Sequence, residues 1–455
     1  MKYSIYSVAL LVLLHSLVPG QARGLTVIKG ATLIDGTGRA PLKDAVIVIN
    51  GSRFGSIGVR ESIEIPKGAR IIDANGKFVM PGLIDCHCHL EMIGLGDLAE
   101  LPPRWETPEK QRQLALINAK LDLLSGVTTI RDLGSTRLAF KIRDEINAGK
   151  QFGPRIFTTG QQLVKKAPGA YMSGIFIEYD GPQDAREKVQ QQVRAGADFI
   201  KIRLTRQRPL PSLEEVRAIV EEADRLGRRV AVHTDVPDDE AVALAIEAGV
   251  DSIEHNAPLR VKNEKLLFEM ARRGISVMAG AGGFYVQRMG EQDLNSVLDS
   301  APKALLPKEI IPMLHRVSDS LLEQTGDMKK GGWDPKQVQA RFISETQRAR
   351  KAGVVLLFGT DCGAELMVHG QQYKALYGET QMGSSAMEAI LMATRDAAKA
   401  LGRGHELGTI EAGKLADLII LEADPLADLH NIRKIHAVMK EGKLYRPADL
   451  LREHK

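Results

Sequence analysis

His87 and His89 stand two residues apart in Leu83-Ile-Asp-Cys-His-Cys-His89, directly after Pro81-Gly82. In an extended strand, residues two apart share a face, so both imidazoles can reach one ion. Two more histidines close apolar runs: His233 ends Arg229-Val-Ala-Val-His233, and His255 ends Asp251-Ser-Ile-Glu-His255. Imidazole suits zinc and similar divalent ions. Asp361 follows Phe358-Gly-Thr360. Its carboxylate can ligate a metal and accept a proton, and the ordinary alternative is a cap on the next helix. Lys201 lies in Asp198-Phe-Ile-Lys-Ile-Arg203. Alternation sets it on one face with Phe199 and Arg203, while Ile200 and Ile202 pack the other. A lysine in an apolar strand is costly without a task, unless it snorkels to the strand end. A plain ammonium would repel divalent ions, so a ligand role requires a neutral or modified lysine. Arg203, further along the same face, can pair bidentately with a substrate carboxylate.

These residues need elements to hold them. Short apolar runs at 83–89, 127–132, 155–159, 198–203, 229–233, 251–255, 275–279 and 354–360 alternate with helical patterns such as 110–124, 213–226, 238–248 and 264–273. Strand and helix signals in alternation argue for parallel βαβ units. Eight such units predict an α/β fold, a (β/α)8 TIM barrel over 81–403, with its chemistry at the C-terminal strand ends where the candidate ligands fall. The stretch 280–353 is too long for one loop and one helix, and 294–324 reads as largely helical. It is either a lid or substrate wall, or a peripheral decoration. Strand signals at 26–35, 44–49, 70–73 and 77–80 precede the barrel, and 417–421 and 437–440 follow it. They predict one small β-sandwich-like domain formed by 23–80 and 404–455.

The chain has 455 residues, and Lys+Arg exceeds Asp+Glu by 61 − 57 = 4. So mild an excess, with no basic run carrying interleaved aromatics, predicts no nucleic-acid partner. Lys2, the apolar run over 8–14 and the small residues Gly20 and Ala22 read as an export signal over 1–22, cleaved after Ala22. The apolar run is short of the ~20 residues a spanning helix needs, and no later stretch is long and apolar enough to span. The expected location is therefore periplasmic or secreted. Cys86, Cys88 and Cys362 are the three cysteines. Alternation puts Cys86 and Cys88 on one side with Leu90, with Cα atoms roughly 6.5 Å apart and side chains parallel, a poor geometry for a disulfide. Small apolar packing is their expected role.

With these motifs the chain resembles the amidohydrolase superfamily, and within it imidazolonepropionase-like amidohydrolases and the bacterial prolidase and Xaa-Arg/Lys dipeptidase groups. The resemblance rests on Pro81-Gly-Leu-Ile-Asp-Cys-His-Cys-His89, Gly126-Val-Thr-Thr-Ile-Arg-Asp132, Gly196-Ala-Asp-Phe-Ile-Lys201, Val232-His233, Ile253-Glu-His255, Gly359-Thr-Asp361 and the tail Leu407-Gly-Thr-Ile-Glu-Ala-Gly-Lys-Leu-Ala-Asp-Leu418. It implies two divalent metal ions, usually Zn2+. His87, His89 and Asp361 would hold one and His233 and His255 the other, bridged by Lys201 carboxylated by carbon dioxide (N6-carboxylysine). Carboxylation makes the lysine an anion and removes the ammonium problem. A hydroxide shared by the metals would attack the scissile carbonyl, with Asp361 as the catalytic proton carrier. Homo-oligomers are common in the family.

The family pattern is not followed throughout. Related dipeptidases carry Thr-Gly-Gly-His after the third strand, whereas 160–171 here has no histidine, and 202–208 is rich in arginine. Tyr171 and His369, on expected mouth loops, are candidate substrate contacts, with a solvated or structural role as the alternative. The expected partner is a small-molecule substrate with a carboxylate and an amide, such as a dipeptide or N-acyl amino acid. A cyclic amide hydrolase, a lactonase, esterase or phosphotriesterase, and a non-catalytic metal-binding protein are the alternatives. Deaminases of the superfamily carry Glu three residues after the fifth-strand histidine, and Val236 stands there.

Overall fold

The computed structural model describes residues 24–93, 107–167, 174–205, 208–234, 239–279, 304–316, 334–364 and 367–448. The expected export signal lies outside the described residues. Five strands come first: β1 (Leu25–Leu33), β2 (Leu42–Asn50), β3 (Arg53–Val59), β4 (Arg70–Asp73) and β5 (Phe78–Pro81). Sequence patterning finds four of them. It misses β3, where Gly55 and Gly58 dilute the strand signal at a sheet edge.

Parallel strands follow: β6 (Leu83–Cys88), β7 (Val127–Asp132), β8 (Arg155–Thr158), β9 (Gln162–Lys165), β10 (Phe176–Tyr179), β11 (Phe199–Leu204), β12 (Arg229–Thr234), β13 (Ser252–Glu254), β14 (Ser276–Met278) and β15 (Leu356–Leu357). Each of the eight expected runs is present within a few residues of its expected ends. Between them run α1 (Pro108–Leu124), α2 (Leu138–Asn147), α3 (Pro182–Ala195), α4 (Leu213–Arg225), α5 (Asp239–Ala248), α6 (Lys265–Arg273) and α7 (Pro335–Lys351). Some of their starts are specified by a side-chain cap. Thr107 caps α1, and Ser212 and Glu215 form a capping box on α4.

The ladders form two parallel sheets, β6-β7-β8 and β10-β9-β11-β12-β13-β14-β15. Backbone hydrogen bonds span both seams. Asp198 N donates to Thr158 O (2.9 Å) on one side. On the other, Cys86 N donates to Phe358 O (3.1 Å), Asp361 N to His87 O (2.7 Å) and His89 N to Cys362 O (2.7 Å). β9 and β10 were not expected, since four residues each are too few to show a period. β9 pairs with the far end of β11, Val164 opposite Arg203, and so adds a short wall beside the strand ends.

Three strands close the chain: β16 (Leu418–Leu421), β17 (Ile435–Lys440) and β18 (Lys443–Tyr445). They join the N-terminal strands in the order β18-β17-β16-β5-β1-β2-β3, with β4 also on β1. The expected sandwich-like unit is thus one continuous hydrogen-bonded sheet. Irregular register along β1 after Lys29 lets its first half pair with β4 and its end with β5. Ile28, Ile47, Ile49, Leu418, Ile420 and Met439 then share a single apolar cluster.

The long segment 280–353 resolves into parts. Its last part is α7, the helix that a strand-helix repeat requires before β15. Leu305, Leu306, Ile310, Met313 and Leu314 pack against Leu114, Ile117 and Leu121 of α1, so this portion covers the outside of α1. The remainder lies outside the described residues.

The small sheet is fastened to the start of the parallel strands, opposite their ligand-bearing ends. Arg155, at the beginning of β8, donates to Asp417 Oδ2 (2.6 Å), Glu441 Oε1 (2.5 Å) and Thr129 Oγ1 (3.1 Å). Removing one partner of a buried ion pair strands the other charge. Arg155→Met is therefore expected to lower stability by about 3 kcal/mol, read from the urea midpoint, while metal bound per chain stays unchanged.

Candidate active site

β6 carries the first two ligand candidates, and it is not a regular strand. Asp85 pairs with Ile130 and Cys88 with Asp132, so three steps on β6 face two on β7. This bulge shifts the alternation. Cys86 therefore packs with Phe199 and Leu357 beneath the site, while Cys88 and Leu90 join the main core. The expectation that Cys86 and Cys88 share one side fails for that reason. Asp85 services the bulge. Its Oδ1 accepts from His87 N (3.1 Å) and Thr360 N (3.0 Å), and its Oδ2 from Thr360 Oγ1 (2.5 Å). Burial pushes its carboxyl up to about 7, against those donors.

The bulge turns His87 and His89 toward one point. His89 Nε2 lies 3.1 Å and His87 Nε2 3.5 Å from Asp361 Oδ1, and the three side chains offer ligand atoms within 4.8 Å of one another. His255 joins them, its ring centroid 4.8 Å from that of His87 and its Nδ1 3.9 Å from Asp361 Oδ2. His233 Nδ1 faces His255 Nε2 at 2.7 Å. His255 (φ 66°) and Asp361 (φ 60°) both hold left-handed backbone, a strained conformation that accumulates at functional sites. No helix follows Asp361 directly, which removes the cap reading. Lys201 is 1 % exposed, and its Nζ is buried without a hydrogen-bond partner.

Protonation follows from burial. Burial, then the Lys201 charge, holds His87 well below its ordinary value, and burial likewise brings His255 down to about 4. Burial alone would raise Asp361, but His87, His89 and His255 outweigh it and hold the carboxyl well below its usual range. Burial pulls Lys201 down to about 7, against Glu254. A neutral His87 and His255, an anionic Asp361 and a Lys201 ready to be neutral are states that suit metal ligation. This nitrogen and oxygen donor set, with an orphaned buried amine beside it, fits divalent metal ions.

Three polar residues that support the site were not singled out as site residues from sequence. Glu254 accepts from His87 Nδ1 (2.9 Å), from Arg131 Nη2 (2.8 Å) and from Ser252 Oγ (2.6 Å). Arg131 also donates to Cys86 O (2.6 Å). The argument that flagged Lys201, a charge in an apolar strand, applies equally to Arg131 in β7 and Glu254 in β13. His89 Nδ1 is bound by Gly134 O at 2.9 Å.

The remaining candidates divide. The guanidinium of Arg203, half-buried near the end of β11, lies 5.8 Å from the Phe176 ring centroid, and Arg203 stands opposite His233 in register. Tyr171 lies outside the described residues. His369 is a correction: it is fully buried, bound to Asp122 Oδ2 (2.9 Å) and His89 O (3.2 Å). It sits behind His89, because an imidazole between a buried carboxylate and a carbonyl satisfies both. Burial would lower its pKa, but Asp122 raises it above the ordinary value.

Residues 78–445 match the amidohydrolase family. The chain belongs to that family. It is accordingly a metal-dependent hydrolase acting on carbon–nitrogen bonds. The match extends to ochratoxinase of Aspergillus niger, 26% identical over 93% of this chain and 87% of the relative. Imidazolonepropionase of Aromatoleum aromaticum is 26% identical over 85% and 88%. Among solved structures, a Xaa-Pro dipeptidase with bound methionine superposes with a TM-score of 0.73 at 30% identity, covering 93% of this chain and 100% of that one.

The approach of β15 to β6 gives a test of this geometry. A Cβ on Gly359 would lie 2.6 Å from Met278 Cγ and 3.0 Å from His87 Cβ. Gly359→Ala should therefore displace His87 from Asp361 and weaken metal binding by about tenfold, on the scale of lost ligand support. Metal retained after dialysis against a chelating buffer reads it, and unchanged retention would show that the site absorbs the shift.

Proposed function

We propose that this amidohydrolase cleaves the amide bond of a small carboxylate-bearing substrate, such as a dipeptide or an N-acyl amino acid, on a (β/α)8 barrel. The observation that carries the reading is the convergence of His87, His89, His255 and Asp361 beside the buried, unbonded Nζ of Lys201. The whole-length similarity to a Xaa-Pro dipeptidase supports the substrate class. In this reading His87, His89 and Asp361 hold one metal ion and His233 and His255 a second, with Zn2+ as the expected ion. Lys201, as its neutral amine, would take up carbon dioxide and release a proton, and the resulting carbamate would be a further anionic ligand for the ions. That converts a buried neutral amine into an anion whose charge is felt by His87 and His255.

The ions would supply, when bound, water activated near neutral pH and a polarised carbonyl. Asp361 lies among His87, His89 and His255 and can accept a proton at its carboxylate, then return it to the leaving amine. Arg203, over Phe176 and next to His233 in register, is suited to a substrate carboxylate. Similarity to imidazolonepropionase keeps a cyclic amide as the second reading, since the same centre can open a ring. Export, by removal of residues 1–22, belongs to this proposal and accords with scavenging of small nutrients.

Metal analysis of the purified mature chain, with hydrolysis of dipeptide, N-acyl amino acid, cyclic amide and lactone panels, tests it. About two ions per chain are expected, with amide cleavage lost in Lys201→Ala and a melting temperature lowered by chelation. One ion or none, with Lys201→Ala fully active, would sink the bridged centre. Two ions with cleavage confined to cyclic amides or lactones would move the substrate class to the alternatives.

A further inference from the structure

The layer beneath the ligands holds a second device. Glu254 is fully buried, and its two oxygens have different partners. Oε1 accepts from Arg131 Nη2 (2.8 Å) and from Ser252 Oγ (2.6 Å), while Oε2 faces His87 Nδ1 at 2.9 Å. Arg131, itself 2 % exposed, donates its Nε to Cys86 O (2.6 Å) and its Nη1 to Ser252 Oγ (3.1 Å). Guanidinium can only donate and is always charged. We propose that Glu254 is a positioning residue that fixes the tautomer of His87, and that Arg131 is the partner that forces it to do so.

Arg131 and Ser252 both occupy Oε1, and the fixed guanidinium charge there keeps Glu254 ionised, so Oε2 has no proton to give. The proton on the His87 ring must then sit on Nδ1, and the lone pair on Nε2 points at Asp361 Oδ1, 3.5 Å away. Ser252 and Glu254, two apart on β13, share the face that makes this possible. Replacing Glu254 by Gln exposes the logic, because an amide has one acceptor oxygen and one NH2 group. The charged donor Arg131 claims the oxygen, so the NH2 group faces His87 Nδ1. The ring must accept there, and its proton moves to Nε2, the atom that faces the metal position. Removing Arg131 as well lifts the constraint. The amide can turn its oxygen to His87, and the Ser252 hydroxyl, which can donate or accept, rotates to suit.

This inference rests on the metal-centre reading only for its affinity measurement; the tautomer is read in metal-free protein, so it can fail independently of any hydrolytic activity. With 15N-histidine-labelled apo protein, long-range 1H–15N spectra report which ring nitrogen is protonated, and His87→Gln identifies the signal. Wild type is expected to show His87 with Nδ1–H, Glu254→Gln with Nε2–H, and Arg131→Met/Glu254→Gln with Nδ1–H again. Zinc affinity should fall roughly 10–100-fold in Glu254→Gln, the range for an outer partner of a ligating histidine, and recover at least in part in the double variant. A purely structural role would make the double variant worse than the single one. Nε2–H in the wild-type protein overturns the proposal without any variant being needed, even if Glu254→Gln fails to fold. Nδ1–H retained in Glu254→Gln, or a tautomer change with wild-type affinity, overturns it too.

Discussion

The buried and half-buried cluster of His87, His89, His255 and Asp361, with His233 against His255 and the Lys201 amine buried, sets the constraint from which the rest of this molecule follows. Each lone pair turned inward is taken from water, and a buried polar group without a partner costs free energy on the order of a few kcal/mol. At His87 and His89 the chain meets this by bonding the outer nitrogen, Nδ1, and turning Nε2 toward Asp361. Glu254 takes Nδ1 of His87, and Gly134 O takes Nδ1 of His89. Glu254 then needs a counter-charge of its own, which Arg131 supplies, and Arg131 in turn ties off Cys86 O. A polar network of this kind stabilises when every member is satisfied, so one ligand's orientation reaches two strands away.

β6 concentrates that demand. It contributes His87 and His89, pairs with β7 on one side and meets residues 358–362 across a seam of single backbone bonds on the other. A regular strand would leave His87 on the wrong face relative to Cys86. The bulge corrects the aim, and Asp85 binds the His87 amide while gripping Thr360. The seam therefore closes at the residue before Asp361. Left-handed backbone at Asp361 and His255 costs about 1–3 kcal/mol each, and it persists because the neighbouring strands leave the chain no other course. At Asp361 the constraint is visible: its own N–H is held by His87 O at 2.7 Å.

Much of this was legible in the sequence because it was periodic. The eight parallel strands declared themselves as apolar runs, and five of the six candidate ligands as histidines or Asp361 at or just beyond their ends. Lys201 stood out as a charge where none should be. What was missed had no period to show. The bulge at Cys86–His87 is a local change of count that alternation cannot see, so Cys86 was turned the wrong way. β9 and β10 are four residues each. His369 fell in what read as a mouth loop, and only its partners Asp122 and His89 O, distant in sequence, reveal a packing role. Arg131 and Glu254 show no task in the sequence, because each acquires one only when β7 and β13 come together.

The support of the centre and the wall beside Arg203 are built from different strands. The centre hangs on β6, β7 and β13 through Asp85, Arg131 and Glu254. The wall beside Arg203 hangs on β9, β10 and α4: Lys165 pairs with Glu215 (2.5 Å) and Arg208 with Glu178 (2.8 Å), while Phe176 lies under the Arg203 guanidinium. Phe176 and Arg203 share no hydrogen bond with His87 or His89 among those the structure shows, so exchanging them would leave the partners of those histidines in place. Function that resides in sites carried on a shared scaffold can then diverge at the wall while the interior stays intact. The segment 160–171, which carries no histidine, contributes β9 to that wall, whereas the candidate ligands stand on or just beyond other strands.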